Sequence, residues 1–249
     1  MKCIQSQCHV FIEKPMSYSP KECGHLEDIA REKDRILMVG HILQYHPAFV
    51  WIKNFLTKQS LGQILFFYAE RKNFGLIRAN ENVLWDLAPH DLSMMLHVLP
   101  KPTHVQCMEN HIFSSQYSDI ADLYFKFPGS LKAHISVNRI SPRKNRTVII
   151  TGEYESIIFD DAQPWEQKIY IMPTNFVFNG DHPPLLDKKE GCYVPIQPEE
   201  PLKNELNHFI ECITKRAKPI TPAQEAKTIS HIIEKATNNL KKNVWSPLF

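Results

Sequence analysis

Between residues 103 and 170, five strand-like segments, HVQCMENHIF, IADLYFKF, SLKAHISVNRI, RTVIITG and SIIFDD, follow one another with only short connections. Such connections are too short for the crossovers that parallel pairing needs, so the segments predict an antiparallel sheet with one face to bury. Pro128-Gly129 supplies a hairpin turn between two of them. The rest of the chain must cover that face. Two helical patterns near the C-terminus can contribute. One carries Leu202, Leu206, Phe209, Ile210 and Ile213; the other carries Ala226, Ile229, Ile233, Ala236 and Leu240 behind a capping box at Thr221-Pro222-Ala223-Gln224. Residues 164–201, rich in proline, read as loop with short strands near 168–172 and 192–196.

The start of the chain follows a different rule. His9 to Ile12 is a short apolar run stopped by Pro15, and RILMVG at 35–40 is a second one. Between them, Ser19-Pro20-Lys21-Glu22 reads as a capping box with proline at the first helical position, and Cys23, Leu26, Ile29 and Ala30 recur at helical spacing. This is a βαβ pattern, whose strands run parallel with a right-handed crossover. Residues 46–58 read as a helix with Phe49, Ile52, Phe55 and Leu56 on one face, 63–72 as a strand, and 82–99 as a helix after a loop. The fold class expected is α/β plus α+β: a parallel βαβ unit over residues 1–40, then an open, largely antiparallel sheet domain with helices on one face over 41–249.

Several function classes are excluded early. The 29 basic and 27 acidic residues are spread along the chain with no basic stripe, so nucleic acid is not an expected partner. No run approaches the length needed to span a bilayer, and the N-terminus MKCIQSQCHVFIEK lacks the apolar core of a signal peptide, so no membrane partner is expected and the cytoplasm is the expected location. Six cysteines show no CxxC spacing and read as reduced thiols; twelve histidines form no HExxH, so no metal site is expected.

Two places carry chemistry. Asp86 and His90 stand four residues apart at the start of the 82–99 helix and share a face. A carboxylate beside an imidazole can orient the ring and raise its basicity, although Asp86 is also an eligible N-cap. In Glu13-Lys14-Pro15, Lys14 ends a strand expected to be parallel, which is where open α/β sheets bind ligands. Pro15 keeps Lys14 out of the helical region and fixes the direction of its side chain.

The order HVFIEKP, capped helix, RILMVGH-x-x-Q-Y-H-P, LGQI, WDLAPHD resembles the glucose-fructose oxidoreductase and inositol dehydrogenase (Gfo/Idh/MocA) family, and the closing PLKNELNHFIECITKRAKPITPAQEA is similar to its last helices. Within it, ERKNFGLIRANENVLWDLAPHD looks most like members acting on nucleotide-linked amino sugars. The resemblance implies an N-terminal Rossmann domain, NAD or NADP as cofactor, and hydride transfer at a hydroxyl carbon of a sugar or nucleotide sugar. It implies catalytic roles for Lys14, Asp86 and His90, with His90 the base, Asp86 its orienting partner and Lys14 the cation. Glu13, Lys14 and Pro15 would then meet the cofactor. Tyr45 and His46 fall in the domain-junction segment, and with Arg71, Arg78 and Arg139 they are the candidate substrate contacts. Homo-oligomers through the sheet domain are also implied.

One departure stands out. Eight glycines are present and no two form GxG, so the glycine-rich turn that meets a dinucleotide pyrophosphate is missing. The βαβ of residues 1–40 therefore reads as the remnant of a Rossmann sheet. That predicts a truncated dehydrogenase with no measurable nicotinamide binding of its own. The alternatives are a catalytically silent sugar-binding or assembly protein, and a chain that binds cofactor in an altered way.

Overall fold

The computed structural model describes the chain except residues 59, 75–80, 114–115, 174–175, 178–184, 187–188, 239–245 and 249, with backbone alone at 176–177, 185–186 and 246. After a short helix α1 (Lys2–Gln5), strands β1 (Val10–Glu13) and β2 (Leu37–Gly40) pair in parallel, Val10 opposite Leu37 and Glu13 opposite Gly40. Helix α2 (Pro20–Glu32) makes the crossover. Ser19 Oγ accepts the Glu22 N–H at 3.4 Å, as a capping box requires, but the reciprocal half differs. The Glu22 carboxylate takes the Ser17 hydroxyl at 2.5 Å, and Ser17 Oγ accepts the Ser19 N–H at 3.1 Å.

The outer edge of β2 is met from the far end of the chain. Val39 N–H donates to Thr221 O at 3.0 Å, and Met38 bridges Pro222. Helix α6 (Ala223–Asn238) starts there, so Ala223 and Ala226 share a small core with Cys23, Ala30, Leu37 and Val39. The capping box expected at Thr221 is not made among the described residues. Its hydroxyl lies 3.2 Å from the Tyr45 hydroxyl instead, because the segment's docking on β2 fixes the side chain there.

A 3-10 turn (Ile42–Tyr45) and helix α3 (Pro47–Leu56) lead into β3 (Ile64–Phe74), followed by helix α4 (Val83–Val98). Then come β4 (His104–Asn110), β5 (Ile120–Lys126), β6 (Lys132–Asn138), β7 (Ile140–Gly152), β8 (Glu155–Asp160) and β9 (Ile169–Pro173). A small pair β10 (Phe176–Val177) and β11 (Leu185–Leu186), β12 (Cys192–Val194), helix α5 (Pro201–Thr214) and, after α6, β13 (Ser246–Pro247) complete the chain. Nine strands form one sheet in the order β12-β9-β8-β7-β3-β6-β5-β4-β13. Every pair is antiparallel except β3 with β6. The β4–β5–β6 meander reverses twice, so β6 regains the direction of β4. That direction is the same as that of β3, which α4 connects to β4 across the sheet face. Phe67, Ala69, Leu123, Ile135, Val148 and Ile150 point to the helices, where Leu84, Leu92 and Met95 of α4 meet them.

Helix α5 turns over the expectation from periodicity. Of the stripe expected from spacing, Leu202, Leu206 and Ile210 are 48%, 42% and 56% exposed and Phe209 and Ile213 are half-buried, while Glu205 at 1% and Cys212 are buried. The helix is fixed by contacts to the 3-10 turn and by Phe209, whose ring lies 5.8 Å from that of Phe11. Leu240, expected on α6, lies outside the described residues. No helix among the described residues is long and apolar enough to cross a membrane.

Buried Glu205 gives a test of this packing. Burial, reinforced by the nearby Glu13 carboxylate, raises its pKa to about 8, and Oε1 has no partner among the described residues. A carboxyl whose folded pKa exceeds its unfolded value stabilises the fold fully below the unfolded pKa, and that contribution is lost as pH rises toward the folded one. Urea unfolding of Glu205→Gln against wild type is expected to show no difference near pH 4 and a gain for the variant on the order of 3 kcal/mol at pH 7. Equal stability at both pH values would show that Glu205 is solvated.

Candidate active site

Helix α4 begins at Asn82, whose Oδ1 accepts the Leu84 N–H at 2.8 Å; Asp86 is therefore a first-turn residue and not the N-cap. Pro89 lies within the helix, where it lacks an N–H for the Trp85 carbonyl and crowds it. Lys14, from the carboxyl end of β1, donates to Asp86 O at 2.5 Å and stands 3.9 Å from Asp86 Oδ1. Burial lowers the Lys14 pKa, an effect opposed by Asp86 and Glu81 and assisted by Arg71. Lys14 and Asp86, expected to work together, are thus brought together.

His90 lies one turn further on the same face. Its Nδ1 is buried without a partner among the described residues. Burial drives its pKa well below the usual imidazole value, and Arg71, Lys14, His41 and Arg146 push the same way. The Asp86 carboxylate faces Lys14, and no hydrogen bond joins it to His90 among the described residues. The expected orienting contact is not made among the described residues; the carboxylate stands by the Lys14 ammonium instead.

His41 is a further candidate, to which the sequence motifs assign no role. It is 2% exposed, neither ring nitrogen has a partner among the described residues, and its pKa is lowered by burial with His97 and Lys14 adding to the effect against Glu225. The available signal was its position directly after β2, the counterpart of Lys14 after β1.

The remaining candidates divide. Arg71 Nε and Nη2 donate to Asp91 Oδ2 and Oδ1, both at 2.9 Å, with both residues buried, so Arg71 clamps β3 to α4 one residue beyond His90. Arg139 is 3% exposed; it donates to Asp119 Oδ1 at 2.8 Å and to Glu81 O at 2.7 Å, and is spent inside the fold. The substrate contact expected of Arg139 has no free guanidinium to make it. Tyr45 is 5% exposed and directs its hydroxyl to Thr221, so it braces the domain junction. His46 caps α3 by accepting the Ala48 N–H at 3.2 Å, stacks on Trp165 at 5.0 Å, and keeps Nε2 3.4 Å from Asp161 Oδ1. Arg78 lies outside the described residues. Glu13 is exposed at the end of β1, and Pro15 follows Lys14 through a cis peptide bond. No group of three or more His, Cys, Asp and Glu among the described residues is placed to hold a metal.

Residues 1–41 match the family model described as oxidoreductase family, NAD-binding Rossmann fold, and residues 49–158 match the Gfo/Idh/MocA C-terminal domain. The chain belongs to the Gfo/Idh/MocA oxidoreductase family. Within that family it is 25% identical over 160 residues to UDP-N-acetylglucosamine 3-dehydrogenase of Acidithiobacillus ferrooxidans, covering 63% of this chain and 50% of that enzyme. It is 22% identical over 262 residues to scyllo-inositol 2-dehydrogenase (NAD(+)) of Bacillus subtilis, covering 98% of this chain and 72% of that enzyme. The aldose-aldose oxidoreductase of Caulobacter crescentus superposes with a TM-score of 0.80 at 17% identity over 99% of this chain and 74% of that one, which shows the fold. The matched region is thus half of the first relative and under three quarters of the others.

The residues present suit the nicotinamide end of such a cofactor: Lys14 ends a parallel strand, and its charge acts on both His90 and His41, which carry buried ring nitrogens without a partner among the described residues. Within these 249 residues no glycine-rich turn is present for the pyrophosphate.

Arg139 provides a check on the division made above. Removing one partner of a buried ion pair leaves the other charge stranded, at a cost of about 3–5 kcal/mol. Arg139→Ala is expected to lose about that much in denaturant unfolding. A variant as stable as wild type would return Arg139 to the list of ligand contacts.

Proposed function

We propose that the protein moves a hydride between NAD or NADP and a hydroxyl-bearing carbon of a sugar or nucleotide sugar, with Lys14, Asp86 and His90 at the reaction centre. The observation that supports this reading is the meeting of Lys14, from the carboxyl end of a parallel strand, with the Asp86 and His90 face of α4.

The chemistry supplied by a bound nicotinamide is acceptance or donation of the hydride. Everything else falls to the side chains. As the C–H bond gives up its electron pair, the hydroxyl proton passes to neutral His90 and the carbinol becomes a carbonyl. Burial keeps His90 unprotonated at neutral pH, so the ring is ready to accept. The Lys14 ammonium stabilises negative charge developing on the substrate oxygen, and Asp86 holds that ammonium in place. In the reverse direction, the cations around the imidazolium favour returning the proton.

The test is absorbance of reduced nicotinamide with inositols, UDP-N-acetylglucosamine and related sugars. Where nicotinamide binds, turnover is expected, with Lys14→Met and His90→Asn each lowering kcat/KM by roughly 10²–10⁴-fold. The acid limb of the wild-type profile should fall below pH 6.5. The second reading is a catalytically silent sugar-binding or assembly protein of the same family. Calorimetric sugar binding with no nicotinamide binding and no turnover would establish that reading in place of the first.

Self-association through the sheet is part of the proposal. Tyr68, His134 and Tyr124 stand in register on the face away from the helices, with ring centroids 5.2 and 4.3 Å apart. Sedimentation at micromolar protein should show a dimer or larger species; a clean monomer would overturn this element.

A further inference from the structure

A cleft of about 620 Å³ opens beside the candidate active site, lined by Ile42, Leu43, His46, Arg146, Trp165 and Lys168 among others. Two kinds of connection place it next to the reaction centre. Ile42 and Leu43 directly follow His41. In the β3–β7 register Arg146 lies opposite Arg71, so the two side chains share one face of the sheet. Arg71 is itself clamped to Asp91, the residue after His90.

The charges in the cleft do not balance. Asp161 is the hub: it accepts from Lys168 Nζ at 3.1 Å and Arg146 Nη1 at 3.3 Å, and stands 3.4 Å from His46 Nε2. His46 adds no charge at neutral pH, because burial lowers its pKa to about 4 against the opposing pull of Asp161. Two cations therefore face one carboxylate. Lys168 is largely spoken for, since it also donates to Asp161 O at 2.6 Å and lies 5.2 Å over the Trp165 ring. Arg146 is not: only Nη1 is engaged among the described residues, and its side chain is 37% exposed. A guanidinium with a free donor edge at the mouth of a walled cleft suits the oxygens of a phosphate. Trp165, held by its stack on His46, and Ile42 and Leu43 supply a rigid, partly apolar wall.

We propose that this cleft binds the phosphate or diphosphate substituent of a phosphorylated sugar, with Arg146 as the principal contact and Lys168 and Asp161 holding it in place. The inference rests on the reading of Lys14, Asp86 and His90 as a sugar site and adds the part of the substrate that lies beyond the reacting ring. It selects a sugar phosphate or nucleotide sugar over a neutral polyol.

Binding to the full chain, followed by calorimetry and by tryptophan fluorescence with Trp165→Phe as control, tests it without cofactor or turnover. The probes are myo-inositol, glucose 1-phosphate, UDP-glucose, glucuronate and inorganic phosphate. The phosphorylated sugars are expected to bind at least tenfold more tightly than myo-inositol and glucuronate, with a preference that weakens as salt rises. Arg146→Ala should erase that preference, Arg146→Lys should restore part of it, and both should unfold at the wild-type temperature. His90→Asn should leave it intact, so a failed dehydrogenase assay and a failed anion subsite are told apart. Equal affinity for all sugars, or a phosphate preference that survives Arg146→Ala, would overturn the proposal. So would inorganic phosphate binding as tightly as glucose 1-phosphate, which would mark a free-anion site.

Discussion

The bidentate pair between Arg71 and Asp91 holds the centre of the molecule together. Both side chains are buried, and the two bonds of 2.9 Å tie β3, the middle of the large sheet, to α4, the helix that lies across it. Withdrawing two charges from water is costly, and the cost is offset only while the geometry stays intact. The pair therefore fixes the rotation of α4 on the sheet. It does so one residue from His90, so the same constraint that packs the helix sets the position of the imidazole.

Electrostatics at the site follow from that placement. Arg71 sits close enough to depress both Lys14 and His90, and Arg146, its neighbour across the strand pair, acts on His90 as well. Desolvation is the largest influence on each, and the cations add to it. The result is a neutral imidazole and a largely buried ammonium side by side on the candidate site, the starting state that the proposed proton acceptor and oxyanion stabiliser require. Carboxylates are distributed to temper this: Asp86 at Lys14, Asp91 at Arg71, Asp161 between Arg146 and Lys168.

The two sheets are joined by segments distant in sequence. Lys14 reaches α4, Thr221 pairs with β2, and α6 serves both cores, with Ala226 in the smaller and Ile229, Ile232 and Ile233 in the larger. The polar link from Gln44 through Ser93 to Glu225 and His97 runs along the same junction, at 2.9, 2.5 and 2.9 Å. The junction beside the candidate site is thus built in part from helix α6, far beyond either strand of the βαβ unit.

The sequence by itself determined the elements whose causes are local. Period-two and helical spacing marked the strands, α2, α3 and α4; Pro128-Gly129 marked its turn, where Gly129 takes a φ of +77°; and the ordered motifs around Lys14, Asp86 and His90 marked the family. Spacing also showed that Asp86 and His90 share a helix face. Only the tertiary structure decided which charges those residues answer to. Asp86 turned to Lys14 instead of His90, Arg139 was spent on Asp119, Thr221 left its cap for Tyr45, and the Leu202, Leu206 and Ile210 stripe faced outward. In each case the deciding partner lies dozens to well over a hundred residues away or on another packed element. Periodicity records which residues share a face, whereas the choice of partner depends on what packing brings within a few ångströms of that face.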